Sequence, residues 1–350
     1  NIMPTGEFTA SQLLETRLKA EQMWTDSQRA ASLAPEAEAA RAVLEHQTAR
    51  FDVFNNIDKD IKVKVTFIDA CGREAEDCDN SCDLNESELS TGAKEYQPNI
   101  CKKSGFSVNE TKLRTNDYGQ SEVVAEGLAA SVKALDEFWA KQVLVKLKTF
   151  AGVNVAPGQM TYDAVNKTTA PLTGDLTQLA QLMQQAKLNR INSPYMIDNG
   201  VFFTAMLNAA FDSGNAEGKG AVARLKTLQG ILYDDQFNFA AAGITGDLFM
   251  IGGGAVAFKT VNKHPDIPTL IGGKVQHTIY TIPSNKLPGV KYDVTYTVEC
   301  KVVNNVKSYF HTWRLETNGL IELNPEGCPI TVGGSIVSPT GILSYSQAGN

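Results

Sequence analysis

Between residues 121 and 150 the apolar residues Leu128, Val132, Leu135, Trp139, Val143, Leu147 and Phe150 recur at steps of three or four, which predicts one stripe along an amphipathic α-helix. Glu122, Glu126, Lys133, Asp136, Glu137, Lys141, Lys146 and Lys148 fall mostly off that stripe, acids toward the start and lysines toward the end, as the helix dipole prefers. Gly152 follows as a C-cap. At 1.5 Å per residue the helix is roughly 45 Å long, so it reads as a strut for the rest of the chain.

Upstream, Leu13, Leu14, Leu18, Met23 and Trp24 predict a helix over residues 9–31, and a run of alanine, glutamate and leucine after Pro35 predicts another over 35–50. Neither has enough bulky residues to be a domain, so both are expected to lie as arms against something else. Residues 61–68 alternate, with Ile61, Val63, Val65 and Phe67 on one face and Lys62, Lys64 and Thr66 on the other, the signature of a strand. Residues 69–98 turn polar and acidic without periodicity, an exposed loop; Phe106 and Val108 then mark a returning strand over 104–108. The two strands predict a long two-stranded projection. An isolated hairpin is marginal in water, so it needs a partner surface or cross-links.

Beyond the long helix the pattern predicts short helices over 176–186, 201–211 and 221–232. The triple glycine at 252–254 lacks the lysine and hydroxyl residue of a phosphate loop and reads as a tight strand connection. Tyr292, Val294, Tyr296, Val298 and Cys300 alternate with polar residues and point inward. Asn304-Asn305 and Asn318-Gly319 predict hairpin turns, giving a meander over 292–303, 306–316 and 320–323, with Cys300 and Cys328 as neighbours. The end of the chain from residue 332 reads as a polar, glycine- and serine-rich tail apart from Ile336-Val337 and Ile342-Leu343.

Composition narrows the function. With 350 residues, 43% hydrophobic and 20% charged, the chain can bury two or three domains' worth of core. A net charge of −7 argues against a sequence-reading nucleic-acid binder, though not against loose contact with packed nucleic acid. No apolar run approaches the length of a membrane helix. The first residues lack a signal-peptide pattern and Asn1 is not an initiator methionine, so a processed or trimmed chain is expected.

Six cysteines make three disulfides possible: Cys71, Cys78, Cys82 and Cys101 cluster, while Cys300 and Cys328 stand apart. The first four lack the paired C-x2-C knuckles of a zinc site, and disulfides or free thiols are preferred. Asp77, Asp79, Ser81, Asp83, Asn85 and Glu88 occupy the ligand positions of a calcium loop, but Cys82 stands where glycine makes the turn, so a solvated acidic loop is the reading and no metal is assigned. The histidines, His46, His264, His277 and His311, show no metal-ligand spacing, and no catalytic signature is present. Neither catalytic residues nor a cofactor are expected.

The order of parts, namely helical arm, two-stranded loop with the strand at 61–68, the approach at 107–118, long helix, the glycine-bearing segment 249–258 and final β-rich segments, resembles the major capsid protein of a tailed bacteriophage. This is the Hong Kong-type capsid fold shared with encapsulins. The resemblance implies an α+β fold with an N-terminal arm over 1–55, an extended loop over 56–114, a spine helix of the peripheral domain over 115–151, an axial domain with peripheral return strands over 152–335, and a tail over 336–350. It also implies a shell that self-assembles from hexameric and pentameric capsomers around double-stranded DNA held without sequence specificity, with portal and decoration or cement proteins as partners. The location implied is the virion, after synthesis in the bacterial host's cytoplasm. Some relatives cross-link subunits through a lysine-asparagine isopeptide; nothing assigns that chemistry to Lys62, Lys64 or Lys94. The rival readings are an encapsulin-type cage and a secreted, disulfide-stapled binding module.

Overall fold

A computed structural model describes residues 10–23, 37–47, 50–55, 61–69, 90–110, 119–152, 160–163, 165, 168–171, 178–191, 194–200, 231–233, 248–262, 269–271, 274–276, 278–303, 305–324, 330–332, 335–337 and 340–346. In chain order the elements are α1 (Ala10–Met23), α2 (Glu38–Glu45), β1 (Arg50–Asn55), β2 (Ile61–Asp69), β3 (Ser90–Tyr96), β4 (Ile100–Asn109), α3 (Gln120–Phe150), β5 (Met160–Asp163), β6 (Thr168–Pro171), α4 (Gln178–Leu188), β7 (Tyr195–Asp198), β8 (Ile231–Tyr233), β9 (Leu248–Ile251), β10 (Val256–Val261), β11 (Thr269–Ile271), β12 (Lys274–Gln276), β13 (Thr278–Pro283), β14 (Lys291–Val303), β15 (Val306–Leu323), β16 (Ile330–Val332), β17 (Ser335–Val337) and β18 (Ile342–Tyr345). The class is α+β, with mostly antiparallel pairing. The chain divides into two compact units: Asn1–Ala37, Pro98–Ala140 and Thr260–Leu320 form the first, and Glu38–Gln97, Lys141–Lys259 and Ile321–Asn350 the second.

The predicted strut is α3, 31 residues long. Leu128, Val132, Leu135, Trp139, Val143 and Leu147 are all buried, joined by Val124 and Leu144 on the same stripe. Asp136 departs from expectation: one position after Leu135 and three before Trp139, it lies on the buried face.

In the first unit β15 is the central strand. Its ladder runs antiparallel with β14 from Asp293↔Glu316 to Val303↔Val306, and with β4 from Phe310↔Asn109 to Gly319↔Ile100. Within this unit the sheet runs β15, β14, β13, with β4 also on β15. Two expectations are corrected here. Asn318-Gly319 is not a hairpin turn, because β4 pairs across both residues and the inter-strand ladder outweighs the local turn preference. Nor does residues 104–108 return beside the strand at 61–68; it belongs to β4 and this sheet.

In the second unit β2 pairs antiparallel with β1 and with β3. The helix expected over 35–50 therefore stops at Glu45, and Arg50 already belongs to β1. The polar stretch after Asp69 contains β3, whose sequence STGAKEY has no alternation and is held by the backbone ladder to β2. The main sheet of this unit has the order β5, β6, β18, β9, β7, β8. Its core joins Leu182 and Ala186 of α4 to Ile191, Met196, Leu248, Met250, Leu343 and Tyr345. The supposed tail thus supplies a central strand: β18 runs parallel to β6 and antiparallel to β9, with all four residues buried. Ile231 and Leu232, expected to end a helix, lie in β8, parallel to β7. The glycine segment is the expected strand connection, between β9 and β10. Gly254 takes a φ of +79°, which favours glycine, and its N–H donates to the His46 carbonyl at 2.7 Å. The helix expected over 201–211 and the acidic loop 77–88 lie outside the described residues.

Candidate functional site

The helix and sheet of the first unit meet so closely that side chains are selected at the contact. A Cβ added at Gly127 would stand 2.6 Å from the Phe106 ring, so the absence of a side chain lets β4 reach α3. Phe106 stacks on Trp313, with centroids 5.2 Å apart, and Trp313 in turn meets Tyr296 at 5.0 Å. Trp139 Nε1 donates to Thr317 Oγ1 at 3.1 Å, tying α3 to β15. His311 is buried beside them, with its Nδ1 2.7 Å from the Tyr296 hydroxyl. Burial lowers the His311 pKa, partly offset by Glu110.

Asp136 fixes the connection between β13 and β14. Its Oδ1 accepts from Ser284 Oγ at 2.6 Å and from the Tyr292 hydroxyl, and its Oδ2 accepts from the Asn285 N–H at 3.2 Å. Ser284 Oγ also accepts from the N–H groups of Lys286 and Leu287, so one carboxylate organises the whole turn. Burial pushes the Asp136 carboxyl from 3.8 up to about 6, against the opposing pull of those hydrogen bonds. A carboxyl pKa raised by folding adds stability that is full below pH 4, declines between 4 and 6, and is gone above 6. At about 1.4 kcal/mol per pH unit that amounts to about 3 kcal/mol. Urea unfolding from pH 4 to 7.5 is expected to show the stability of wild type relative to Asp136→Asn falling by about this amount as pH rises. A difference that rises with pH would mean that the three donors hold the group ionised.

Several exposed features are suited to contact with other molecules. Lys19 Nζ of α1 donates to Ser121 Oγ at 2.6 Å while Leu13 and Ala20 are buried, yet Leu14 and Leu18, one turn apart, are 53% and 49% exposed. On β2, Val63 and Val65 are buried, and Lys62 reaches Glu95 of β3 at 3.3 Å. Lys94 lies over the Tyr96 ring at 5.1 Å. At the end of the β14–β15 ribbon Val302 and Val303 are 66% and 43% exposed beside the left-handed residue Asn305.

Of the cysteines singled out from sequence, Cys101 and Cys300 are described, and both are exposed. Cys300 was expected to point inward; it lies in the exposed last stretch of β14. Cys101 sits opposite Asn318 and Cys300 opposite Tyr309, far apart along β15. Cys71, Cys78, Cys82 and Cys328 lie outside the described residues. Among the described residues no group of three or more His, Cys, Asp and Glu side chains is placed to hold a metal ion, and no helix is long and apolar enough to cross a membrane.

No family model matches the chain, and neither does any curated protein. Solved structures do. The capsid structure of the cyanophage P-SCSP1u is similar at a TM-score of 0.45 and 10% identity, covering 87% of both chains. The mature capsid of bacteriophage PhiM1 is similar at 0.42 and 8%, covering 84% of each. The capsid of cyanophage Pam1 is similar at 0.42 and 10%, covering 83% of this chain and 86% of its own.

Proposed function

We propose that this chain is a structural subunit that assembles with copies of itself into the icosahedral shell of a tailed phage, enclosing double-stranded DNA. The observation that carries the reading is the order of parts around α3. A docked N-terminal helix with an exposed apolar outer face and a three-stranded antiparallel sheet precede it, and a layered sheet core and a long β14–β15 ribbon follow it. That order agrees with the capsid resemblance read from the sequence. Physical chemistry supports it as well: exposed Leu14, Leu18, Val302 and Val303 gain from burial against a neighbour, at roughly 25 cal/mol per Å² of apolar surface covered. A net charge of −7 keeps packed DNA from adhering to the wall. On this reading the chain works without turnover, and portal and decoration proteins are its further partners.

Sedimentation velocity in physiological salt, with negative-stain imaging of the fast fraction, tests the proposal. Closed particles or capsomer-sized rings are expected. A chain that stays monomeric at high concentration, with or without reductant, would overturn it. Particles filled by a protein cargo instead of DNA would favour a cage of encapsulin type.

A further inference from the structure

Two Asn-Gly pairs occur in the chain, Asn199-Gly200 and Asn318-Gly319. Glycine carries no side chain to shield its own amide nitrogen, so in such a pair that nitrogen reaches the asparagine side-chain carbonyl carbon more readily than before any other residue. The reaction needs only water. The glycine nitrogen bonds to asparagine Cγ, and its proton leaves with the side-chain nitrogen as ammonia. Water then opens the resulting ring at either carbonyl, giving aspartate or isoaspartate. Isoaspartate routes the backbone through the former side chain and so lengthens it by a carbon.

The fold holds one of these pairs out of reach of that chemistry. Residues 310–319 of β15 are paired rung by rung with β4, with Asn318 opposite Cys101 and Gly319 opposite Ile100. In an extended strand a side chain stands out from a face of the sheet, while the next N–H lies in the plane of the sheet, directed at a neighbouring strand. The two reacting atoms are therefore kept apart, and the backbone rotation that would join them breaks the rungs at Asn318 and Gly319. Gly319 is itself buried. On either side the strand is anchored, by Thr317 to Trp139 Nε1 at 3.1 Å and by Leu320, which is 0% exposed. β4 is held less deeply, with Cys101, Lys102, Lys103, Gly105 and Ser107 all exposed. Exposed strands of this kind open at a lower free energy than the core does.

We propose that Asn318-Gly319 is a latent deamidation site kept closed by the β4 ladder, so that release of β4 is recorded in the covalent structure of β15. The record is permanent. The added backbone carbon of an isoaspartate puts β15 out of step with β4 at the rungs Asn318↔Cys101 and Gly319↔Ile100, and the original register cannot close over it. The site exists whether or not the chain assembles with copies of itself.

The test incubates the full chain in mildly alkaline buffer and follows the peptides containing Asn318 and Asn199 by mass spectrometry, with isoaspartyl methyltransferase to label the isoaspartate. In urea the two sites are expected to convert at similar rates. In the native chain Asn318 is expected to convert at least about tenfold more slowly than in urea, because it waits for local opening. Lys102→Pro fixes φ and removes a backbone donor at the rung opposite Thr317, and is expected to raise the native rate at Asn318 about tenfold. The rate at Asn199, in the second unit, should not change. If Lys102→Pro abolishes the urea transition, the wild-type chain below its transition takes its place, and conversion at Asn318 is expected to rise in proportion to hydrogen exchange at the Gly319 amide. A native rate at Asn318 equal to that in urea would overturn the proposal. So would a slow native rate that stays fixed while β4 is loosened or the Gly319 amide exchanges.

Discussion

A chain shortened to end at Gly341 is expected to lose the second unit. The deletion removes β18 from between β6 and β9, splitting the six-stranded sheet and opening two new edges in its middle. Ile342, Leu343 and Tyr345 are 0%, 2% and 1% exposed, and burial of each such side chain contributes about 1.5 to 3 kcal/mol. Their loss alone approaches the whole stability of a typical domain, about 5 to 15 kcal/mol. Limited proteolysis will show it: cleavage within residues 141–259 is expected at protease levels that leave the full chain intact. Leu343→Ala is the milder form, expected to cost about 2 to 5 kcal/mol in urea unfolding. A shortened chain as resistant as the parent would mean that β18 is dispensable to the sheet.

Trp139→Ala is expected to have the largest effect of any single substitution in the first unit. The side chain is wholly buried, and its indole N–H satisfies Thr317, which is itself 3% exposed. Truncation leaves a cavity costing about 3 to 5 kcal/mol. It also leaves the Thr317 hydroxyl buried without its donor, for about 1 kcal/mol more. Trp139→Phe keeps part of the volume and should cost less than half as much. If Trp139→Ala unfolds at the same urea concentration as wild type, the helix is not held to β15 through this residue.

Much of the architecture is legible in the chain because long periodic segments average over local exceptions. The α3 stripe and the alternation of β2 and β14 are of this kind. What escaped depends on partners distant in sequence. The short run Ile342-Leu343 looks like an interruption of a polar tail until β6 and β9 flank it. STGAKEY has no pattern of its own and becomes a strand through β2. Asn318-Gly319 satisfies every local rule for a turn and is overruled by β4. Asp136 was read among the charges off the stripe, and its partners Ser284 and Tyr292 lie far downstream, where nothing local names them.

The aromatic packing also fixes what light can report. Trp139 and Trp313 sit in the buried helix–sheet contact of the first unit, and the residues of the second unit include no tryptophan. Indole emission is thus a private reporter of the first unit, blind to the second. Loss of β18 would leave the emission maximum in place while the far-ultraviolet circular dichroism falls, whereas damage at Trp139 would move both. Two optical signals recorded on one sample therefore separate the melting of the two units, with no label attached.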